Sequence, residues 1–219
     1  MRSVIGKHLE EAIVLVTVLS VGPIGTNAYV VGCETTLEGM IVDPGGHAER
    51  ILAAVQEMRL KIKYVINTHA HFDHVGANRA LIEATDATLV IHPDEVPVLK
   101  AGGGARWFGL TADPSPEPGL LVHDGDTLQV GRLTFQVIHA PGHSPGHIML
   151  YEVNEGVLFD GDVLFYQGIG RSDLPGGNHA TLMRSIREKV LTLPDETVIY
   201  SGHGPATTVE EEKRFNPWL

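Results

Sequence analysis

The chain has 219 residues, 43% of them hydrophobic, with one cysteine and a formal charge of −11 from 16 basic and 27 acidic side chains. That length and apolar content suffice for one domain with a closed core, and a single thiol, Cys33, excludes an internal disulfide and makes the cytoplasm the expected location. The negative charge, without any Lys/Arg cluster, speaks against a nucleic-acid partner.

Residues 13–19 read as a strand because they are apolar and mostly β-branched. The apolar stretch at 12–18 follows Glu10 and Glu11 rather than a basic region and carries no small-x-small cleavage site, so no secretory leader is expected. No run approaches the roughly 18 apolar residues of a membrane span, and no membrane partner is expected. Strands are predicted at 28–31 and 40–42 and a helix at 48–58, with Asp43-Pro44-Gly45-Gly46 as the turn between the last two. The apolar run 62–66 stops abruptly at Asn67-Thr68, so the residues from His69 onward lie just past the carboxyl end of a strand, where open α/β sheets place their sites.

A helix is expected at 77–84 and a short strand at 88–91. The segment 92–119, with Gly102-Gly103-Gly104 and the prolines at 114, 116 and 118, is a candidate mobile flap. Strands at 127–130, 133–138, 148–151 and 157–159 are separated by glycine turns, and a helix at 179–190, a strand at 198–200 and an acidic helical turn at 209–213 complete the chain. Strands in both halves with helices between them predict an α/β fold in a single domain over residues 1–219. Its two sheets lie face to face and are covered outside by helices, a four-layer αβ/βα sandwich.

Seven metal-capable side chains fall on this frame in order: His69, His71, Asp73 and His74, then His143, Asp162 and His203. Imidazole and carboxylate suit zinc, iron or manganese. His69-Ala70-His71-Phe72-Asp73-His74 is too dense for one helical face, but in a tight loop His69 and His71 can converge on one ion while Asp73 and His74 turn toward another. His143 lies in the glycine-rich turn Pro141-Gly142-His143-Ser144-Pro145-Gly146-His147, Asp162 comes after a strand across Gly161, and His203 sits in Ser201-Gly202-His203-Gly204. Every candidate therefore occupies a loop after a strand.

His-x-His-x-Asp-His with single His, Asp and His residues after it resembles the hallmark of the metallo-β-lactamase superfamily, over nearly the whole chain. The resemblance implies the four-layer fold with two mixed sheets, His69, His71 and His143 on a first metal, Asp73, His74 and His203 on a second, and Asp162 bridging them. Thr26-Asn27-Ala28-Tyr29, Leu158-Phe159-Asp160-Gly161-Asp162, the run from Gly170-Arg171-Ser172-Asp173 to Gly177, and Asn216-Pro217 resemble the small type II glyoxalase-like, or hydroxyacylglutathione hydrolase-like, branch. The chain stops before the helical C-terminal region that supplies glutathione contacts in the larger enzymes of that branch, so no such region is expected.

The resemblance implies a metal-dependent thioester hydrolase with two divalent ions, zinc by default and iron or manganese suiting the same donors. A metal-bridging hydroxide would attack the thioester carbonyl of S-lactoylglutathione or a similar acyl thioester, with Asp73 orienting it. The competing expectation is a persulfide dioxygenase-like oxidoreductase with one iron held by His69, His143 and Asp162. A non-catalytic structural zinc module would be closed and cysteine-rich, which this donor set is not.

Neighbouring residues carry plainer expectations. His147 steadies the His143 turn rather than ligating, and Asp160 competes with Asp162 for the bridge but still belongs to a strand. Arg171 is a candidate for gripping a substrate carboxylate, against the simpler expectation of an ion pair with Asp173. Asp43 anchors its turn and supports the ligands from outside. Trp107 and Phe108 either line an apolar entrance or anchor the flap. His8, His47, His92, His123, His139 and His179 have no ligand-like context, and Cys33 reads as a small strand-end residue.

Overall fold

A computed structural model describes residues 13–112 and 114–219. His8, Glu10, Glu11 and the first residue of the 12–18 stretch lie outside them. The strands in chain order are β1 (Val14–Val21), β2 (Thr26–Cys33), β3 (Glu38–Val42), β4 (Lys61–Ile66), β5 (Thr88–Ile91), β6 (Leu120–Leu121), β7 (Thr127–Val130), β8 (Leu133–His139), β9 (Ile148–Glu152), β10 (Val157–Gly161), β11 (Leu164–Phe165), β12 (Gly168–Ile169), β13 (Val198–Ser201) and β14 (Thr207–Thr208). The helices are α1 (Ala48–Glu57), α2 (Phe72–Val75), α3 (Asn78–Thr85), α4 (Val96–Lys100), α5 (His179–Ser185) and α6 (Val209–Phe215). Among the described residues no helix is long and apolar enough to cross a membrane.

One six-stranded sheet runs β1-β2-β3-β4-β5-β6 and the other β14-β13-β10-β9-β8-β7. Both are mixed: β1, β2 and β3 pair antiparallel while β3 to β6 run parallel, and β10 pairs parallel with β13 but antiparallel with β9. Alternation along each strand sorts the side chains into three apolar layers. In β2, Ala28 and Val30 face α1 and α3, whereas Tyr29, Val31 and Cys33 face Phe135, Val137, Leu150 and Phe159 of the second sheet. On the far side, Met149, Tyr151 and Leu158 pack under Leu182, Ile186 and Val190. Helix, sheet, sheet, helix is thus the layer order, as the sequence predicts.

The helices start where side chains satisfy their first amides. Asn178 accepts from the Thr181 amide at 2.9 Å to open α5, and Thr208 accepts from Glu211 at 3.2 Å to open α6, whose first turn is acidic and last turn basic. Instead of one regular helix over 179–190, α5 passes at Ile186 into a single π-helical turn, Ile186–Val190. The two-residue strands β6, β11, β12 and β14 escaped the sequence because two residues show no periodicity.

Within the candidate flap, the described residues 92–112 and 114–119 are tied to the rest of the fold at several points. Short helical turns, Pro93–Glu95, α4 and Ala105–Phe108, organise the first part, and the Phe72 amide donates to the Gly103 carbonyl at 2.9 Å. Further on, Arg79 donates to the Pro114 carbonyl at 3.0 and 2.7 Å and Asn78 to Ser115 Oγ at 3.1 Å.

Candidate metal centre

β4, β8, β10 and β13 end at one rim of the sandwich, and the seven candidates meet there. Asp73 and His74 do not sit in a plain loop: α2 is one helical turn, so His71 approaches from extended backbone at its N-terminal boundary and His69 from the bend after β4, while Asp73 and His74 project from the helix. The cluster therefore splits into two sides, for a more specific reason than loop tightness.

On one side, His143 Nε2 lies 2.8 Å from His71 Nδ1 and 3.2 Å from His69 Nε2. On the other, Asp73 Oδ2 lies 3.2 Å from His74 Nε2 and 3.3 Å from His203 Nε2. In each group the donor atoms all lie within 4.8 Å of one another. Asp162 stands between the groups: Oδ1 is 3.5 Å from His74 Nε2, while Oδ2 is 3.6 Å from His143 Nε2 and 3.7 Å from His203 Nε2. A register shift in β10 between Phe159 and Gly161 turns Asp162 onto the rim.

The electrostatics favour positive charge here. Burial pushes the His69 imidazole well below its ordinary value and His71 down to about 3, so both present neutral rings, the form that ligates. Burial works to raise the Asp73 and Asp162 carboxyls, but His74 above all, with His203, outweighs it and holds both below the usual carboxylate range. For His74 burial acts downward, yet the surrounding Asp73, Asp162 and Asp43 carry its imidazole well above the ordinary value. His74 Nε2 and Asp162 Oδ1 are buried without a hydrogen-bond partner, a costly condition unless a further group binds them. Three imidazole nitrogens converging on one side, and two imidazoles with a carboxylate on the other, are a donor set that could hold divalent cations.

Residues 21–203 match the family model of the metallo-beta-lactamase superfamily. The chain belongs to that superfamily. Hydroxyacylglutathione hydrolase GloC of Haemophilus influenzae is 40% identical to it over 182 residues, 82% of this chain and 86% of the relative. The mitochondrial persulfide dioxygenase ETHE1 of Bos taurus is 32% identical over 202 residues, 89% of this chain and 71% of that protein. Among solved structures, the BLEG-1 B3 metallo-beta-lactamase superposes with a TM-score of 0.89 at 41% identity, covering 94% of this chain and 99% of the other. A di-iron-bound form of TTHA1623 gives 0.85 at 40% identity, covering 93% and 100%. The superfamily is one of enzymes that bind divalent metals, and its fold of two mixed sheets flanked by helices is the one found here.

This superfamily member surrounds the cluster with supports, several of which sequence alone did not reveal. Asp43, in the left-handed region at φ 50, accepts from the Thr68 amide and hydroxyl at 2.8 and 2.6 Å and lies 3.1 Å from His74 Nδ1, as its expected supporting role requires. Asparagine and aspartate tolerate that conformation better than most residues. From β2, Thr26 Oγ1 donates to Asp73 Oδ2 at 2.9 Å, and Tyr29 and Asn27 donate to the Ser201 carbonyl at 2.6 and 3.0 Å, fixing the His203 loop. The Thr-Asn-Ala-Tyr motif thus has a mechanical meaning that its residue types did not disclose. Glu95 is buried and accepts from the amides of Ala70 and Gly146, both at 2.8 Å, joining the loops of His69 and His143.

These supports set two expected outcomes. Thr26→Val is expected to lower turnover about 10- to 100-fold, with Thr26→Ser restoring most of it, because losing one support of a metal-ligating carboxylate, the role for which Asp73 is a candidate, has effects of that size. Steady-state kinetics of both variants check it, and a Thr26→Val rate equal to that of the parent protein would contradict the role. Gly202 leaves no room for a side chain: a Cβ there would collide with the Asp162 carboxylate and approach His74 Cε1 to 2.8 Å. Gly202→Ala should therefore cost about 100-fold in turnover, the scale of an ångström-level displacement of reacting groups, and the same kinetic measurement checks it.

Of the remaining sequence candidates, His147, expected to steady the His143 turn, instead receives the Asp162 amide on Nε2 at 3.0 Å and so holds the Asp162 backbone. Asp160 turns away and accepts from the Leu164 amide at 3.0 Å, and burial raises its carboxyl well above the ordinary value. Arg171 forms a two-pronged pair with Asp173, 2.8 Å in both arms, while its carbonyl lies 2.7 Å from His143 Nδ1 and so orients that ring with Nε2 toward the cluster. Phe108 lines the opening, whereas the Trp107 ring lies 6.2 Å from that of His71. His92 and His139, expected without ligand-like context, gather with Asp94 close enough to share a cation, but their rings stack with centroids 4.4 Å apart and planes 6° apart. Parallel rings leave no common in-plane point for one ion.

A cavity of about 380 Å³ opens from the cluster. His71, Asp73, His143, Asp162 and His203 line its floor, and its walls are largely apolar.

Proposed function

We propose that the chain is a thioester hydrolase of the hydroxyacylglutathione hydrolase type that works with two divalent cations. The observation that carries this reading is the pair of complete three-residue donor groups with Asp162 between them. In it, His69, His71 and His143 hold one cation, Asp73, His74 and His203 the other, and Asp162 serves both. When bound, such a pair supplies Lewis acidity and lowers the pKa of a water toward about 7.

The chain's own groups do the rest. Asp73, held ionised, accepts a hydrogen bond from the attacking water and orients it, while the Arg171 carbonyl fixes the His143 ring. In the net reaction the water oxygen bonds to the acyl carbon, the carbon–sulfur bond breaks, and a carboxylic acid and a thiol are produced. A thiolate whose conjugate acid has a pKa of about 8.5 leaves without a dedicated acid, and none is needed among the walls. S-lactoylglutathione or a related acyl thioester is the substrate class, with the similarity to GloC in support. Zinc is the default cation and iron or manganese suits the same donors, with the di-iron form of a 40% identical structure in support of iron.

The similarity to a persulfide dioxygenase favours a second reading, a single iron on His69, His143 and Asp162. One experiment separates them: bound metal is measured on the same sample that is offered acyl thioesters, a β-lactam, and glutathione persulfide with oxygen uptake recorded. Two metals per chain with thioester turnover and no oxygen uptake is the expected result. One iron with persulfide-dependent oxygen consumption, or turnover of the β-lactam alone, would sink the proposal.

A further inference from the structure

The walls of the cavity carry information about what enters it. Beyond the ligand candidates and Arg171, every described lining side chain is apolar, Ile24, Phe108, Leu110, Phe165 and Ile169 among them. Ile24, Phe108 and Leu110 remain 57%, 48% and 42% exposed around the opening although they are large hydrophobic residues. Apolar side chains gathered at the mouth of a polar floor are what a ligand with an apolar portion would cover. The guanidinium of Arg171 is already engaged in both arms by Asp173, whose carboxyl is drawn down to about 2 by that pairing. The described lining residues therefore offer a peptide thiol with two carboxylates, such as glutathione, no arginine or lysine free of an acidic partner.

We infer that the cavity seats an apolar acyl chain of medium length, so that the preferred substrate is a fatty-acyl-type or aryl-acyl thioester rather than a small hydroxyacyl one. The inference rests on the thioester-hydrolase reading and departs from its hydroxyacylglutathione type in the acyl group it assigns. The acyl side is assigned to the cavity because the thiol carriers of acyl groups are polar and suit solvent, whereas the acyl chain is the apolar part of a thioester. Phe108, Leu110 and Phe165 set the preference by removing that chain from water, an effect worth roughly four-fold per buried methylene.

The test uses the metal-loaded full chain and acyl thioesters of one uncharged thiol, N-acetylcysteamine, from acetyl to octanoyl, with S-lactoylglutathione alongside. The ratio kcat/KM is expected to climb about three- to four-fold per methylene, giving roughly 80- to 250-fold between acetyl and hexanoyl. Phe108→Ser and Leu110→Ser, at partly exposed positions, are each expected to flatten that slope. A flat or falling series, with S-lactoylglutathione the best substrate, would overturn the inference and leave the hydrolase reading standing. Calorimetric binding of S-alkyl thioethers of the same thiol provides a readout independent of hydrolysis. Affinity rising with alkyl length without turnover of any thioester supports the apolar seat and overturns the hydrolase reading instead, whereas affinity indifferent to length counts against the seat.

Discussion

On the proposed two-cation reading, replacing Asp162 by alanine is expected to release both cations from the protein together. Asp162 places one carboxylate oxygen toward His74 and the other toward His143 and His203, so each donor group loses the member it shares with the other. Removing an outer support of a metal ligand costs 10- to 100-fold in affinity, so losing the shared ligand itself should cost at least about 100-fold for each ion. His203→Ala is the matched comparison: His203 belongs to one group and is the more exposed of the imidazoles there, so its loss should empty that group while the other stays filled. Metal content after dialysis, measured beside thioester turnover, decides between them. Two tightly held metals and undiminished turnover in the Asp162→Ala protein would show that the aspartate is not shared.

Glu95→Gln should produce a large loss of stability from a residue outside the cluster. Its carboxylate is buried and receives two backbone N–H groups from loops 25 and 51 residues away in sequence. An amide has one acceptor oxygen where the carboxylate has two, so one N–H is left facing another donor. A buried hydrogen bond to a charged group contributes about 1.5–3 kcal/mol, and an orphaned N–H adds a desolvation cost. A total near 3 kcal/mol in a chain of this size corresponds to a fall in Tm of about 6–12 °C. Because Ala70 lies between His69 and His71, and Gly146 lies three residues beyond His143, weaker metal retention should accompany the lower Tm. Calorimetry of the metal-loaded protein checks this, and a Tm within about 2 °C of the parent would show that the bridge between the loops is dispensable.

Several parts of the architecture could be read from the chain because their signals are local. Apolar runs bounded by turn residues marked the long strands, and β5 and β7 fall on the predicted residues. The helix at α1 follows from its amphipathic spacing, since Ile51, Ala54 and Val55 share the buried face. Other features gave no local signal. The turn α2 is four residues long and contains two ligand candidates, so density argued against a helix that tertiary contacts impose. Glu95 reads as a loop acid in Pro93-Asp94-Glu95 until the folded chain brings it to Ala70 and Gly146. Thr26 meets Asp73 across 47 residues, a pairing that no spacing rule encodes.

The amino-acid sequence by itself determined the chemistry on offer: which side chains could ligate, their order, and their placement after strands, because residue type and strand periodicity are local properties of a chain. The tertiary structure alone decided how those side chains divide into two groups, that Asp162 rather than Asp160 stands between them, and that Arg171 pairs with Asp173 at the edge of an apolar-walled cavity. Those outcomes depend on how two sheets are stacked and how the loops at their shared rim are cross-linked, and such long-range geometry is fixed only when the whole core closes.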